Sequence, residues 1–457
     1  MTGSALLWLR RDLRRRDLPA LAAAAGRGAV VPLFVLDPLM WERAGAVRRA
    51  WLAAGVLAAD AAYEGALCVR IGDPRDVVPA VAEQVGARSV HVSAETTPAG
   101  RTRDRQVARR LAGAGGELVA TGSPYALGPG VVRTAGGAAY RVFTPFARAW
   151  RAAGWPGPAP DPPRLTLRFV ESDPAARARL HEAVAGCTVP LPPAGEDAAL
   201  RRCREFVRSR LASYAAERDR PDLDATSRLS PDLKVGALHP RTVLACLAGR
   251  QGPGVDRFVT ELAWREFYAD VLWHHPASAR TDLRGELAGL SYDEVDGDTA
   301  QRVAAWRAGR TGYPFVDAGM RQLLAEGWMH NRVRMVVASF LTKDLHVWWP
   351  VGARHFLDHL LDGDVASNSH GWQWVAGTGT DAAPYVRVFN PVTQGVRFDP
   401  DGDYVRRFVP ELAHLPAAAA HEPWRHPDGY RGGYPTRIVD HEEQRRVALA
   451  RYAAARR

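Results

Sequence analysis

The first part of the chain alternates short apolar runs with longer alanine-rich stretches. Four mostly apolar runs predict buried strands, at 5–9, 29–36, 67–71 and 89–92. Between them lie stretches with the length and composition of helices, near 48–64, 75–86 and 101–114. Because buried strands that alternate with helices are typical of parallel sheets, residues 1–125 are predicted to form a doubly wound α/β domain.

The pattern changes twice further along. Residues 126–195 are rich in proline and glycine, with GPG at 128–130 and a proline-rich run that ends at Pro163. This composition predicts a connector that runs over the surface. Residues 196–457 carry helical patterns with few strand signals and are predicted to form an all-α domain.

Composition narrows the class of protein. The formal net charge of +10 favours a polyanionic partner. The four cysteines are scattered without metal-binding or disulfide spacing, so we expect no metal site and a location in the reducing cytoplasm. We also expect a monomer. No secretory pattern opens the chain, and no run approaches the ~20 apolar residues of a membrane span.

The densest chemistry lies in one stretch, 362–391. It combines Asp362 and Asp364, the amide of Asn368, and the tryptophans Trp372 and Trp374. Carboxylates and an amide suit hydrogen bonds to the edge of a polar heterocycle. Two core tryptophans beside a capped turn remain an equally good interpretation.

Three further clusters have mixed polarity. Tyr214 precedes a Thr-Ser-Arg-Leu-Ser-Pro turn at 226–231, which fits either an anion cradle or a helix cap. Glu261, Trp264, Arg265 and Tyr268 share one helical face, which fits a stacked base or a solvated, ion-paired face. On a third predicted helix, one face carries Asn331, Arg334 and Met335. The polar groups of this face must be satisfied within a site or by a ligand.

These motifs closely resemble those of the photolyase/cryptochrome family, DNA photolyases in particular. The resemblance is carried by WLRRDLR at 8–14, YRVFTPFARAW at 140–150, WMHNRVRM at 328–335, WQW at 372–374 and GTDAAPYVR at 379–387. It implies a photolyase-like fold, with an α/β antenna-binding domain at 1–125, a connector at 126–195 and an all-α, FAD- and DNA-binding catalytic domain at 196–457.

The resemblance also implies a function and a role for each site residue. The expected function is that of a class I cyclobutane pyrimidine dimer photolyase, a lyase that repairs UV-damaged DNA with blue light. The implied FAD contacts are Tyr214, Thr226, Ser227, Arg228, Leu229, Ser230, Arg334, Asp362, Asp364 and Asn368. The implied catalytic residues around the lesion and the flavin N5 are Glu261, Trp264, Asn331, Met335, Trp374 and Asn368. The implied DNA contacts are Glu261, Trp264, Arg265, Tyr268, Asn331, Arg332 and Arg387.

Two features depart from the family pattern. Trp372 and Trp349 match the inner members of a tryptophan electron relay, but the outer position falls on Asp296, which cannot donate an electron. Photoreduction of oxidised flavin is therefore expected to be slow unless another aromatic residue substitutes, with the candidates Trp348, Trp306 and Tyr292.

The second departure concerns the antenna chromophore. Ala99, Gly100 and Arg101 stand where folate-binding members carry an Asn-Glu pair. This disfavours folate and favours 8-hydroxy-5-deazaflavin, with another flavin or no antenna still open.

Two alternative functions also remain open. One is a cryptochrome-like blue-light photoreceptor. The other is a DNA-binding flavoprotein that has lost repair, an alternative supported by departures from the family at Leu18, His239, Ser369 and His370.

Overall fold

The computed structural model describes residues 3–381 and 387–456. Its first domain is built on a parallel sheet of five strands in the order β3-β2-β1-β4-β5. The strands are β1 Ser4–Leu9, β2 Ala29–Leu36, β3 Cys68–Ile71, β4 Ser89–Val92 and β5 Glu117–Ala120. The predicted doubly wound α/β fold is confirmed. The sequence pattern missed β5 because this edge strand is partly exposed and lacks an apolar run.

Helices cover both faces of this sheet. They are α1 Pro19–Ala25, α2 Pro38–Glu42, α3 Ala46–Ala62, α4 Pro74–Gln84 and α5 Pro98–Gly113. Alternate residues of the central strand enter different cores, since Leu7 and Leu9 pack in one hydrophobic cluster and Leu6 and Trp8 in another. Burial on both faces explains why the two central strands β1 and β2 are apolar at nearly every position.

The expectation of a connector that runs over the surface at 126–195 needs correction. This segment contains α6 Phe143–Ala153 and α7 Pro174–Ala185. Phe143, Phe146 and Trp150 of α6 are buried in the main core. Their i, i+3, i+7 spacing is the apolar stripe of a helix, which the surrounding prolines and glycines masked.

The second domain is helical, as predicted. Its helices are α8 Glu196–Ser209, α9 Tyr214–Glu217, α10 Ser230–Val235, α11 Pro240–Cys246, α12 Pro253–His274, α13 Gly297–Arg307, α14 Pro314–Glu326, α15 Asn331–Ser339, α16 Trp349–His359, α17 Val365–Ala376, α18 Pro391–Phe398, α19 Asp403–Phe408 and α20 His441–Ala455. One π-turn, Phe340–Asp344, extends α15.

The two domains meet where the loop after β1 packs against α10. The backbone N–H of Leu13 donates to Val235 O at 3.2 Å, and Arg14 Nη1 donates to Gly236 O at 3.0 Å. A Cβ on Gly236 would lie 1.9 Å from the carbonyl oxygen of Arg11, and Gly236 itself has a φ of +74°. Only glycine allows the backbones to approach this closely.

Within the described residues, no helix combines the length and apolarity that a bilayer crossing requires. In the same part of the chain, no three His, Cys, Asp or Glu side chains are grouped so that they could hold a metal ion.

Candidate active site

A cavity of about 740 Å³ opens among α10, α12, α15 and α17 of the helical domain. This volume is within the usual range for sites that bind organic ligands. Its wall includes every candidate cofactor, catalytic and DNA-binding residue named from the sequence. Trp349, a candidate for electron transfer, is buried in the adjacent core. Residues that lie far apart in the chain are therefore brought to one site.

One wall of the cavity is the predicted face of α12. Glu261 forms an ion pair with Arg218 at 2.6 Å and a second with Arg257 at 3.2 Å, both through Oε1. Trp264 stacks on Phe143 of α6, with ring centroids 3.6 Å apart and planes 8° apart. The core behind Trp264 therefore fixes its ring at the cavity wall.

A second wall comes from α15. Arg332 Nη2 donates to Asp219 at 2.8 Å, and its Nη1 lies 3.8 Å from the sulfur of Met335. Arg334 donates from Nε to Met329 O at 2.8 Å and from Nη2 to Asp362 Oδ2 at 2.9 Å. Asn331, at the first position of the helix, is exposed.

The floor of the cavity contains one acid, Asp362, with only one of its two carboxylate oxygens hydrogen-bonded. Asp362 Oδ2 accepts from Ser230 Oγ at 2.6 Å as well as from Arg334. Within the described part of the chain, Asp362 Oδ1 and Trp372 Nε1 are buried without a hydrogen-bond partner. A buried acceptor and a buried donor in one cavity wall indicate a polar ligand, because unpaired groups of this kind are costly.

Asp364 caps the N-terminus of α17 by accepting from the N–H of Ser367 at 3.1 Å. Burial by itself would raise the pKa of Asp364. Lys234, Arg11 and Arg265 outweigh that effect and hold the pKa of this carboxyl well below its ordinary value. Asp364 therefore stays ionised at physiological pH.

Asn368 provides an amide in the same helix. Its Nδ2 donates to Ala353 O at 2.9 Å, so the Oδ1 end is the one that can accept from a ligand. An amide cannot give up a proton in the physiological range. The Asn368 amide can therefore accept a hydrogen bond from a ligand without a change in its own charge.

The turn at 226–230 borders the cavity next to these acids. Arg228 has a φ of +49°, a left-handed conformation that is costly for a residue with a side chain. Its guanidinium lies over the ring of Trp328 at 4.4 Å and pairs with Asp224 and Glu326. The hydroxyl of Ser230 is taken by Asp362, so an anion at this turn would be held by Thr226, Ser227 and backbone N–H groups.

Two predicted DNA contacts also have partners inside the protein. Arg265 donates to Pro124 O at 2.9 Å and to Leu233 O at 3.2 Å, and it lies over the ring of Tyr125. Those contacts join the two domains, and none of them leads toward the surface. The carbonyl oxygen of Arg387 accepts from the buried Lys343. The part of the family motif at 382–386 lies outside the described residues.

Two tryptophan pairs lie at or near the cavity. Trp372 in the wall contacts the buried Trp306, with centroids 6.2 Å apart. Trp349 is 1% exposed and contacts Trp348, which is 38% exposed, with centroids 6.3 Å apart. Both indole N–H groups point at Asp282 Oδ1, at 2.6 Å from Trp349 and 3.4 Å from Trp348. Asp296 lies exposed before α13, and Tyr292 packs in a separate small cluster.

Sequence reasoning missed several residues of the cavity wall. They include Arg218, Lys234, Arg257, Trp328 and Arg397. Arg257 had a local signal, since it precedes Glu261 by one helical turn, and Trp328 is the first residue of the motif at 328–335. The others reach the cavity from separate elements.

Comparisons with known proteins identify the family of the chain. Residues 5–164 match the family described as DNA photolyase, and residues 258–454 match the FAD binding domain of DNA photolyase. The deoxyribodipyrimidine photo-lyase of Streptomyces griseus is 43% identical over 97% of both chains. The chain belongs to the DNA photolyase family.

Solved structures of the family have the same fold. A bacterial class III photolyase from Agrobacterium tumefaciens superposes with a TM-score of 0.89 at 36% identity, covering 100% of this chain and 98% of that one. An archaeal photolyase from Sulfolobus tokodaii, solved with two FAD molecules, superposes with a TM-score of 0.85 at 28% identity, covering 99% and 100%. FAD is thus the cofactor of this photolyase family member, and the buried unpaired atoms of Asp362 and Trp372 fit a ligand with polar edges.

Proposed function

We propose that this chain is a deoxyribodipyrimidine photo-lyase, which binds UV-damaged DNA and splits cyclobutane pyrimidine dimers in the light. One observation carries the proposal. A single cavity has a partly unpaired acid, Asp362, and an amide in its floor, and it has aromatic, acidic and amide side chains in its walls. A redox cofactor and a flipped-out lesion can share such a cavity.

FAD would be held by three groups of side chains. Thr226, Ser227 and the turn around Arg228 suit its pyrophosphate. Asp362, through Oδ1, suits a hydrogen-bond donor of the cofactor, and Asn368 Oδ1 suits a second donor. Bound FAD would supply the light-driven electron that opens the cyclobutane ring.

The chain itself positions the lesion. Trp264, supported from behind by Phe143, and Trp374 offer aromatic surfaces on which the pyrimidines stack, a contact of about 1–3 kcal/mol per base. Glu261 offers a carboxylate for the polar edge, and Met335 an adaptable apolar contact. Extrusion of a base costs a few kcal/mol and is cheapest at a damaged site, so stacking of this size can offset it.

The DNA backbone would be bound electrostatically. The formal net charge is +10, and Arg332, Arg387 and Arg397 line the cavity. Neutralised phosphates release counterions, so affinity should fall steeply with salt. We propose that the protein acts on DNA as a monomer in the cytoplasm.

A second chromophore would lie in the α/β domain and pass excitation to FAD. The family likeness supports such an antenna, and the Sulfolobus tokodaii photolyase holds a second FAD. We keep 8-hydroxy-5-deazaflavin as the favoured candidate. Chromophores released from the purified native protein by denaturation, and separated by chromatography, would identify it.

The decisive experiment uses the FAD-loaded protein and a UV-irradiated oligothymidine. The fraction of dimers is measured after incubation under blue light and in darkness. Light-dependent loss of dimers supports repair. Tight binding of the irradiated DNA without repair would instead indicate a flavoprotein that has lost catalysis. A light-dependent flavin change with neither binding nor repair would indicate a photoreceptor.

A further inference from the structure

A buried ion cluster joins the two domains at the cavity. Asp364 Oδ2 accepts from Arg11 Nη2 at 2.9 Å and from Lys234 Nζ at 3.3 Å. Lys234 belongs to α10 of the helical domain, whereas Arg11 follows β1 of the α/β domain. Asp364 and Lys234 line the cavity, and Arg11 lies behind them.

Arg11 is held for this contact by its backbone. Its carbonyl oxygen packs against Gly236, and the neighbouring loop is hydrogen-bonded to the end of α10. Within the described residues, Nε and Nη1 of Arg11 are buried without a hydrogen-bond partner, and the next acid, Glu95, is 4.0 Å away. The close ion pair of this guanidinium is therefore the one with Asp364.

The cluster contributes to the charge beside the cofactor, together with Arg265, which also faces Asp364. An ionised carboxylate without partners in the cavity wall would oppose negative charge on a bound flavin, because burial weakens solvent screening. Two cations paired with one carboxylate oxygen make the net charge of the cluster positive. Asp364, Lys234 and Arg11 together carry one net positive charge. Removing either cation would return that trio to neutrality and would free the carboxylate to move.

We propose that Arg11 is a positioning residue of the flavin site. It acts through Asp364, fixes that carboxylate with Lys234, and gives the site the positive charge that favours the reduced flavin. The α/β domain thus adds positive charge behind a cavity whose described lining lies in the helical domain. This inference rests on the proposed function only through bound FAD, and dimer splitting is no part of its test.

The test measures the FAD dissociation constant of the apoprotein and the flavin midpoint potential, titrated with dithionite against a reference dye. In Arg11→Met, reduced FAD should bind about tenfold more weakly relative to oxidised FAD. A tenfold change corresponds to a shift of about 30 mV to more negative potential for two electrons. Arg11→Lys keeps the charge and should restore most of the shift.

Arg16→Met is the matched control, because Arg16 is in the same loop and its ion pair with Asp197 is exposed. It should leave both quantities unchanged. A merely structural role for Arg11 would lower stability without moving the potential, and that result overturns the proposal.

Two further variants keep the test decisive. If Arg11→Met does not fold, Lys234→Met must shift the potential in the same direction, and an unchanged value overturns the proposal. If Arg11 acts through Asp364, then Arg11→Met should add little in an Asp364→Asn background. Full additivity of the two effects would show that Arg11 acts independently, against the proposal. If the unmodified chain bound FAD but did not repair DNA, that result would count only against the proposed function.

Discussion

Replacing Asp362 with asparagine tests the floor of the cavity directly. In the folded protein Asp362 Oδ2 accepts from Ser230 and Arg334, while Oδ1 is buried without a partner in the described part of the chain. Asparagine keeps the shape but places one oxygen and one NH2 group where two oxygens stood. With the oxygen still facing Arg334, the NH2 group faces the cavity.

The expected magnitude follows from which contacts change on binding. The bonds from Ser230 and Arg334 exist in the free and the bound protein, so they largely cancel in the binding free energy. What asparagine loses is the hydrogen bond that Oδ1 accepts from the cofactor, about 1.5–3 kcal/mol for a charged acceptor. The FAD dissociation constant should therefore rise about 10- to 150-fold.

The assay is a titration of apoprotein with FAD, followed by flavin fluorescence, in parallel with thermal unfolding of the apoproteins. Asp358→Asn is a matched control. Its partner is Arg354, one helical turn earlier, with side chains 35% and 66% exposed. Exposed pairs of this kind contribute at most about 1 kcal/mol, so FAD affinity should not change. If Asp362→Asn bound FAD within threefold of the unmodified chain, the cofactor contact assigned to Oδ1 would be wrong.

Three more predictions follow from the same geometry. Glu261→Gln should lower the preference for UV-irradiated over undamaged DNA about tenfold, because a partly exposed charged acceptor is lost, while FAD binding is kept. Trp348→Phe should slow the blue-light photoreduction of oxidised flavin in the presence of an external thiol, because Trp348 is the exposed ring in contact with Trp349. Burial lowers the pKa of Lys343 to about 7, against the pull of Asp344. Between about pH 7 and pH 10 the unfolded chain then binds more protons than the folded chain. The free energy of unfolding therefore rises with pH in this range, by up to ~1.4 kcal/mol per pH unit, and Lys343→Met should remove that rise.

Each of these has a contrary outcome. Unchanged discrimination in Glu261→Gln, measured by equilibrium titration of both DNAs, would remove Glu261 from the lesion contact. Photoreduction that neither Trp348→Phe nor Trp306→Phe slows would mean that electrons enter by another path. Equal pH dependence of denaturant unfolding in Lys343→Met and the unmodified chain would show that Lys343 keeps an ordinary pKa.

Local patterns in the sequence predicted much of the fold. Strands buried on both faces are apolar at nearly every position, so β1 and β2 were recognisable without their neighbours. The face of α12 that carries Glu261, Trp264 and Tyr268 was also predicted, because helical spacing is set within one turn. The sequence pattern failed where a strand is exposed, as in β5, and where an apolar stripe is surrounded by prolines and glycines, as in α6.

Local spacing along the chain establishes which side chains share a helix face and which functional groups that face carries. The contact partners of these side chains depend on how the chain folds. Arg11 and Asp364 are separated by 353 positions, yet their ion pair lies behind the cofactor cavity. Phe143 stacks on Trp264, although it belongs to a segment whose composition predicted a surface connector. Arg265 donates its hydrogen bonds to carbonyl groups at the contact between the domains. Hydrophobic periodicity indicates only whether a position is buried. The contacts of a side chain with distant residues arise from packing between elements, and no local pattern in the sequence encodes that packing.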